Sequence, residues 1–208
     1  MTIRFIPVPK MATFLERFTN IETTNNITSG VFLTKDVAEA NMLRRAILSE
    51  IDTYAIDIVI FQTNTSPRHD EVIALRLGQA IIDHTQFNPP EPDGFRTHID
   101  VQGPGEFTTD DIPNIPFKYV TPIVTLKQGQ HIVCDVIVKQ GQGKVHVKWR
   151  PVSTVTLIEV DNGYKITIKD IGMLPGPEIL ELGFNKIPQA INRPPITLFS
   201  HPLIPNNI

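Results

Sequence analysis

The chain has 208 residues, 41% of them hydrophobic and 20% charged, and a net charge of −3. That length allows one large domain or two small ones around an ample core, and the composition is that of a soluble folded protein. The slightly acidic balance argues against a dedicated nucleic-acid binder, whose affinity would come from phosphate neutralisation, while a local basic patch stays open.

In chain order, residues 3–8, about 12–24 and 30–34 read as short strands. Asp36 is a good helix N-cap, with Glu39 placed to complete a capping-box-like pair. From there Ala40, Leu43, Ile47 and Ile51 form one apolar stripe, widened by Leu48, on a helix over 36–51. Residues 55–62 read as a strand with Ile56, Ile58 and Ile60 on one face. Asn64-Thr65-Ser66-Pro67 stops it and starts a helix, with Ser66 as N-cap, Pro67 at the first helical position, and Asp70 and Glu71 at the positive end of the dipole. Ile73, Leu77, Ala80 and Ile81 give its buried face.

Residues 84–118 carry six prolines and three glycines and read as mostly loop with short edge strands. Strands at 119–126 and 131–138 follow, and KQGQGK reads as the turn of a hairpin into a strand at 144–149. Strands at about 153–160 and 164–169 flank Asp161-Asn162-Gly163, a strong hairpin signal. Pro175-Gly176-Pro177 opens a last helix, about 177–191, whose apolar side is Ile179, Leu180, Phe184, Ile187 and Ile191 and which Gly183 should weaken. The tail over 191–208 is proline-rich yet too apolar for simple disorder, and is expected to lie extended against this chain or a partner. The N-terminus lacks the apolar run of a signal peptide, and no segment approaches the roughly 20 apolar residues that span a bilayer, so an intracellular chain without membrane contact is expected.

Candidate chemistry is sparse. The lone Cys134 lies in a strand-like segment and reads as a small buried apolar residue; a catalytic thiol, the competing reading, has no motif around it. Gly141-Gln-Gly143-Lys144 falls short of a phosphate loop because Val145 stands where Ser or Thr is needed and a strand, not a helix, is expected next. His98-x-Asp100 and Asp83-His84 are weak metal suggestions against ordinary surface or hydrogen-bonded histidines. Asp57, Asp70, Glu71, Asp110 and Asp111 could pair for acid–base work, but sequence places no two of them across a substrate, and no nucleophile elbow is present. Arg44 and Arg45 read either as a solvated helix face or as interface residues.

Three ordered motifs stand out: Asn41-x-Leu43-Arg44-Arg45-x3-Ser49-Glu50-Ile51; Asn64-Thr65-Ser66-x3-Asp70-Glu71-x4-Arg76-Leu77-Gly78; and Lys139-Gln-Gly-Gln-Gly-Lys144-x-His146-x-Lys148-Trp149-x-Pro151-Val152. Gly103-Pro104-Gly105 with Thr109-Asp110-Asp111-Ile112, and Leu126-Lys127-x-Gly129-Gln130, fall between them. In that order they resemble the assembly subunit of multisubunit RNA polymerases: the archaeal D subunit, the third-largest subunit of eukaryotic polymerase II and, more remotely, the N-terminal domain of the bacterial alpha subunit. Each motif alone is weak; the ordered set, from about 36 to 190, is specific.

The resemblance implies an α+β chain with a discontinuous dimerisation domain, residues 1–53 with 152–208, a sheet backed by the first and last helices, and an inserted α+β domain over 54–151. It implies a non-catalytic scaffold that pairs with a smaller related subunit and docks the second-largest, catalytic polymerase subunit. Ala40, Leu43, Ile47, Ile51, Ile179, Leu180, Phe184 and Ile187 would meet the smaller partner. Arg44, Arg45 and Leu48 would face the large subunit, with Lys144, His146, Lys148 and Trp149 near the same surface or a small zinc-bearing subunit. No cofactor, metal or direct nucleic-acid contact is implied. Leu75 stands where relatives often carry His, Gln79-Ala80-Ile81 where they carry an apolar residue and a proline, and their cysteine clusters are absent. No linker and DNA-binding tail are expected beyond the core, a compact form that suggests a divergent polymerase, with a large DNA virus as one source; the expected location is nucleus or cytoplasm, or the virion. Two other classes compete with the scaffold: a small cytosolic enzyme with an unrecognised site, and a free-standing adaptor binding peptides at a sheet edge.

Overall fold

The fold is given by a computed structural model that describes residues 13–91 and 93–191. The strand expected at 3–8 and the tail beyond 191 lie outside the described residues. The class is α+β, as the sequence predicts.

One core is assembled from the two ends of the described chain. A single helical turn, α1 (Phe14–Arg17), precedes strands β1 (Phe18–Thr24) and β2 (Ile27–Phe32). Asn25 and Asn26 join them with φ of 47° and 62°, the left-handed pair that a two-residue hairpin matching strand twist requires. β8 (Val152–Val160) and β9 (Gly163–Asp170) complete an antiparallel sheet of order β1-β2-β9-β8. The predicted turn sits one residue earlier than the Asn-Gly pair: Asp161 and Asn162 form the loop and Gly163 already pairs with Val160. Gly163 is required there, because its φ is +154° and a Cβ would lie 2.2 Å from the Phe32 carbonyl oxygen.

Helices α2 (Val37–Ser49) and α4 (Gly176–Ile191) cover one face of this sheet. Phe32, Tyr164, Ile166 and Ile168 from the strands meet Leu43, Ile47, Ile179 and Leu180 from the helices. Phe14, Phe18, Phe32 and Phe184 form an aromatic cluster at one end, with ring centroids 4.7–6.3 Å apart. Gly183, read from propensity as a weakness, is where the two helices touch: a Cβ there would come 2.4 Å from Cγ1 of Ile47.

The chain leaves this core after Ile51 and returns at Val152. Between them β3 (Asp52–Asn64), β7 (His131–Gln142) and β4 (Asp93–Gln102) form a second antiparallel sheet of order β3-β7-β4, and α3 (Asp70–Gln79) packs on β3. Ile56, Ile73, Leu77, Ile82, Ile99, Phe107, Ile132 and Val136 make its own apolar core, closed by a two-stranded sheet of β5 (Gly105–Thr108) and β6 (Pro122–Leu126).

Four predicted elements are corrected here. β4 is a ten-residue strand where mostly loop was expected. Its residues alternate cleanly, Arg96, His98 and Asp100 outward against Thr97 and Ile99 inward, a signal masked by the flanking prolines. α3 starts at Asp70 with His69 as N-cap, not at Pro67. Asn64 accepts from the Ser66 amide and donates to Asp70, which holds 64–69 in a local turn that competes with helix. Residues 144–149 are a turn and a 3-10 turn over 147–149, not a strand, and β7 runs on to Gln142. Phe14–Arg17 is a helical turn rather than the start of β1, capped by a reciprocal Thr13–Glu16 box.

Candidate interaction surface

α2 presents one stripe inward and one rim outward. Ala40, Leu43, Ala46 and Ile47 are buried, Arg44 and Leu48 lie half-buried at the edge of the stripe, and Arg45 is exposed. Asp36 caps the helix as predicted, accepting from the Ala38 amide at 2.8 Å. Glu39 does not reach back to it. Its carboxylate instead pairs with Arg17 at 2.7 Å and accepts from the Thr34 hydroxyl, so a tertiary ion pair displaces the local box.

A second segment reaches the C-terminal end of α2 from the other core. The Gln142 side-chain amide donates to the Glu50 carbonyl at 3.2 Å, and the Lys144 amide donates to the Ser49 carbonyl at 3.2 Å. Carbonyls at a helix end have no intrahelical partner, and here a distant loop supplies one. The approach demands glycine: a Cβ on Gly143 would lie 2.4 Å from the Leu48 carbonyl oxygen, and one on Gly141 2.4 Å from the Trp149 indole. Lys144 then pairs with Glu50 at 3.1 Å.

Leu48 is thereby brought against the loop that carries Lys144 and His146, with Arg44 and Arg45 one turn back along α2. The loop residues divide in role. Trp149 is 6% exposed; its Nε1 donates to the Lys139 carbonyl at 3.2 Å and its own carbonyl accepts from the Thr53 hydroxyl at 2.6 Å. Lys148 pairs with Asp57 at 2.6 Å, and its ammonium lies 4.4 Å from the Trp149 ring centroid. Both brace the loop from inside. His146 is exposed, and its Nδ1 accepts from the Lys148 amide at 3.1 Å. Val145 and Val147, at 69% and 59% exposure, are outer residues that sequence reasoning passed over. Arg150 was also missed: its Nε is buried with no hydrogen-bond partner among the described residues.

The residues expected to meet a partner chain lie on the α2–α4 layer. Ala40, Leu43, Ile47, Ile51, Ile179, Leu180 and Ile187 are buried in the chain's own core, and Phe184 is half-buried in the aromatic cluster. Apolar groups left partly open around that core are Met42, Leu182, Val155 and Leu157.

Several titratable groups have partners that account for them. Asp135 on the outer face of β7 holds Arg96 at 2.6 Å, His98 at 2.9 Å and Gln62 at 2.6 Å, and these, Arg96 foremost, hold its carboxyl down at about 2. His98 and Asp100 do not converge, since Asp100 binds His131 at 2.6 Å. Asp83 accepts from the Thr85 hydroxyl, which foremost lowers its pKa, while burial lowers that of His84, whose Nε2 accepts from the Tyr54 amide. Burial works against the charge on Asp57, but Lys148 and then Lys139 outweigh it and hold its pKa low. Burial pushes the Cys134 thiol up to about 12. Among the described residues no group of three or more His, Cys, Asp or Glu side chains could hold a metal ion, and no helix is long and apolar enough to cross a membrane.

No protein-family model matches the chain. It is similar to DNA-directed RNA polymerase subunit Rpo3 of Methanocaldococcus jannaschii, 32% identical over 149 residues that cover 70% of this chain and 76% of that protein. It is 33% identical over 171 residues to subunit Rpo3 of Pyrobaculum aerophilum, covering 70% of this chain and 65% of that protein. Against subunit Rpo3 of Pyrococcus furiosus it is 36% identical over 126 residues, 55% of this chain, so it spans about half the length of that relative.

Proposed function

The chain belongs to the family of DNA-directed RNA polymerase subunit Rpo3, and from that premise we propose that it is a non-catalytic scaffold on which the polymerase assembles. It pairs with a smaller related subunit and docks the second-largest, catalytic subunit, with a small zinc-bearing subunit as a further neighbour; catalysis and direct nucleic-acid contact belong to other subunits, and the protein acts inside the cell. The observation that carries the docking reading is the seating of the 142–150 loop on the end of α2. It sets Leu48 against the loop that carries Lys144, Val145 and Val147, about a hundred residues away, and we take Arg44 and Arg45, one turn back along α2, as part of the same surface. Among the described residues Arg44 has only Asn41 as a side-chain partner and Arg45 has no acidic one, so the proposed surface carries basic groups without acidic partners together with exposed valines. Such a surface suits an acidic, partly apolar protein face.

Pairing is assigned to the outer flank of the α2–α4 layer, where Met42, Leu182 and Phe184 stay partly open. The fully buried stripe supports that flank from beneath.

The test is to pull the tagged chain from its native source and identify what accompanies it by mass spectrometry. Recovery of a smaller related subunit and two very large chains is the expected result. A stable monomer recovered alone would overturn the reading. Replacing both Arg44 and Arg45 with Ala should weaken docking of the large subunit by about ten-fold or more while sparing the smaller partner; undiminished docking in the same pull-down would remove those residues from the surface.

A further inference from the structure

We propose that the cleft between the two apolar cores receives a lysine or arginine side chain of another polymerase subunit, its charged end set against Asp170; the inference rests on the scaffold reading above. The cleft measures about 380 Å³, within the range of ligand pockets and ample for one long side chain. One wall belongs to the core built from the two ends of the chain, with Thr23 at the end of β1 and Asp170 at the end of β9. Thr85 and Lys118 of the other core form the facing wall. The His84 amide, donating to the Met173 carbonyl at 3.1 Å, ties the two sides together. Leu174, Pro175 and Pro177 add apolar lining of the kind an alkyl stem packs against.

The charges of this cleft are out of balance. Buried acids among the described residues are Glu50, Asp83, Asp135 and Asp170. Glu50 pairs with Lys144, Asp83 with Lys118, and Asp135 with Arg96 and His98. Asp170 has no ion-pair partner among the described residues. Its carboxylate accepts from the Gly172 amide at 3.0 Å, and Lys118 acts on it only through space, the ammonium resting 3.5 Å from Asp83. Two buried carboxylates thus share one ammonium. Burial, the foremost influence, raises the Asp170 pKa from 3.8, so its charge is costly until a cation joins it. A cation on an alkyl stem answers both the carboxylate and the apolar lining. Tyr119 and Val120, 47% and 63% exposed, follow Lys118, and the Tyr119 hydroxyl lies against Gly172 in the wall of the cleft. That apolar rim favours a protein partner over a free small cation. Side-chain cations of this chain outside the described residues are Arg4, Lys10 and Arg193. α4 begins at the cleft and carries the chain about 24 Å away before Arg193, and β1 reaches the cleft after a run of about 20 Å. Both ends of the described chain therefore lie away from the cleft, and the cation is assigned to another subunit.

The experiment places the photo-reactive residue benzoylphenylalanine at Pro177, an exposed residue lining the cleft, in the tagged full chain expressed in its native source. The assembled complex is recovered and irradiated, and the cross-linked peptides are identified by mass spectrometry. A peptide of another polymerase subunit that carries lysine or arginine is the expected product. Asp170→Asn keeps an oxygen for the Gly172 amide and removes the charge. It should cut the yield of that product about five-fold or more. Because burial disfavours the ionised form, the same variant should melt at or above the wild-type temperature at neutral pH. Lys118→Met removes the competing ammonium and should hold or raise the yield. A loss with both variants alike, or a loss with Asp170→Asn that follows a lower melting temperature, marks a packing role and overturns the assignment. Cross-links confined to residues 1–12 or 192–208 of the chain itself, cross-links to nucleic acid, or none within an assembled polymerase overturn this inference alone. A chain that recovers no polymerase subunit overturns the scaffold reading on which it rests.

Discussion

Gly183 sets two residue-level effects against each other. Propensity favours Gly183→Ala by about 1 kcal/mol in a helix interior. Packing opposes it, because the new methyl would sit 2.4 Å from Cγ1 of Ile47, which has no exposure and cannot swing away. Overpacking of this kind costs about 1–3 kcal/mol, so a net loss is expected in urea melts, relieved when Ile47→Ala is combined with it. Asp135 carries the pH dependence. Its carboxyl is held at about 2 in the folded chain against an ordinary 3.8, so its bonds to Arg96, His98 and Gln62 stabilise the fold above the ordinary value, and that contribution is lost as pH falls from there towards 2. Asp135→Asn should therefore melt below wild type at pH 7, with the gap closing as the acid range is entered. Cys134, buried and with its thiol raised to about 12, should resist alkylation in the folded chain and react only on opening; fast labelling under native conditions would contradict its place in the core.

Among the elements, the seat of the 142–150 loop on α2 is the one the proposed interaction surface depends on. Gly143→Ala would thrust a methyl to within 2.4 Å of the Leu48 carbonyl, a backbone atom that cannot turn aside. The loop would have to lift, releasing the bonds to Ser49 and Glu50. A loss of about 1–3 kcal/mol is expected, together with faster amide exchange over residues 142–150. The sequence marks this segment by its glycines but not by its conformation, since Gly-rich runs serve hairpin turns and close approaches alike. α2 itself was legible because its apolar spacing, its Asp36 cap and its length agree. β4 was not, because composition over 84–118 outweighed a clean alternation within it. The start of α3 was misread because the Asn64 side chain, rather than Ser66, controls the backbone there.

At the scale of the whole molecule, two apolar cores share one chain that crosses between them near Ile51 and again near Val152. Leu43 belongs to one core and Ile99 to the other, both without exposure. Each cut to Ala should cost about 2–5 kcal/mol, and because the two share no cluster the double variant should show their sum within about 0.5 kcal/mol. A larger coupling, seen in a denaturant double-mutant cycle, would mean the cores unfold as one packed unit.

The order of motifs, the amphipathic period of α2 and α4 and the β-hairpin at 161–163 were readable from the chain itself, because period, caps and turn chemistry are local properties. What folding decided was which apolar residues were taken into a core and which polar ones found partners within the chain. The stripe from Ala40 to Ile187 reads equally well as an interface or a core, and only the arrival of β2, β9 and α4 on the same face made it a core. Lys148 and Trp149 turned inward because the Asp57 carboxylate and the Thr53 hydroxyl stood where they landed. Those outcomes depend on distances between residues about a hundred positions apart, which no local pattern encodes.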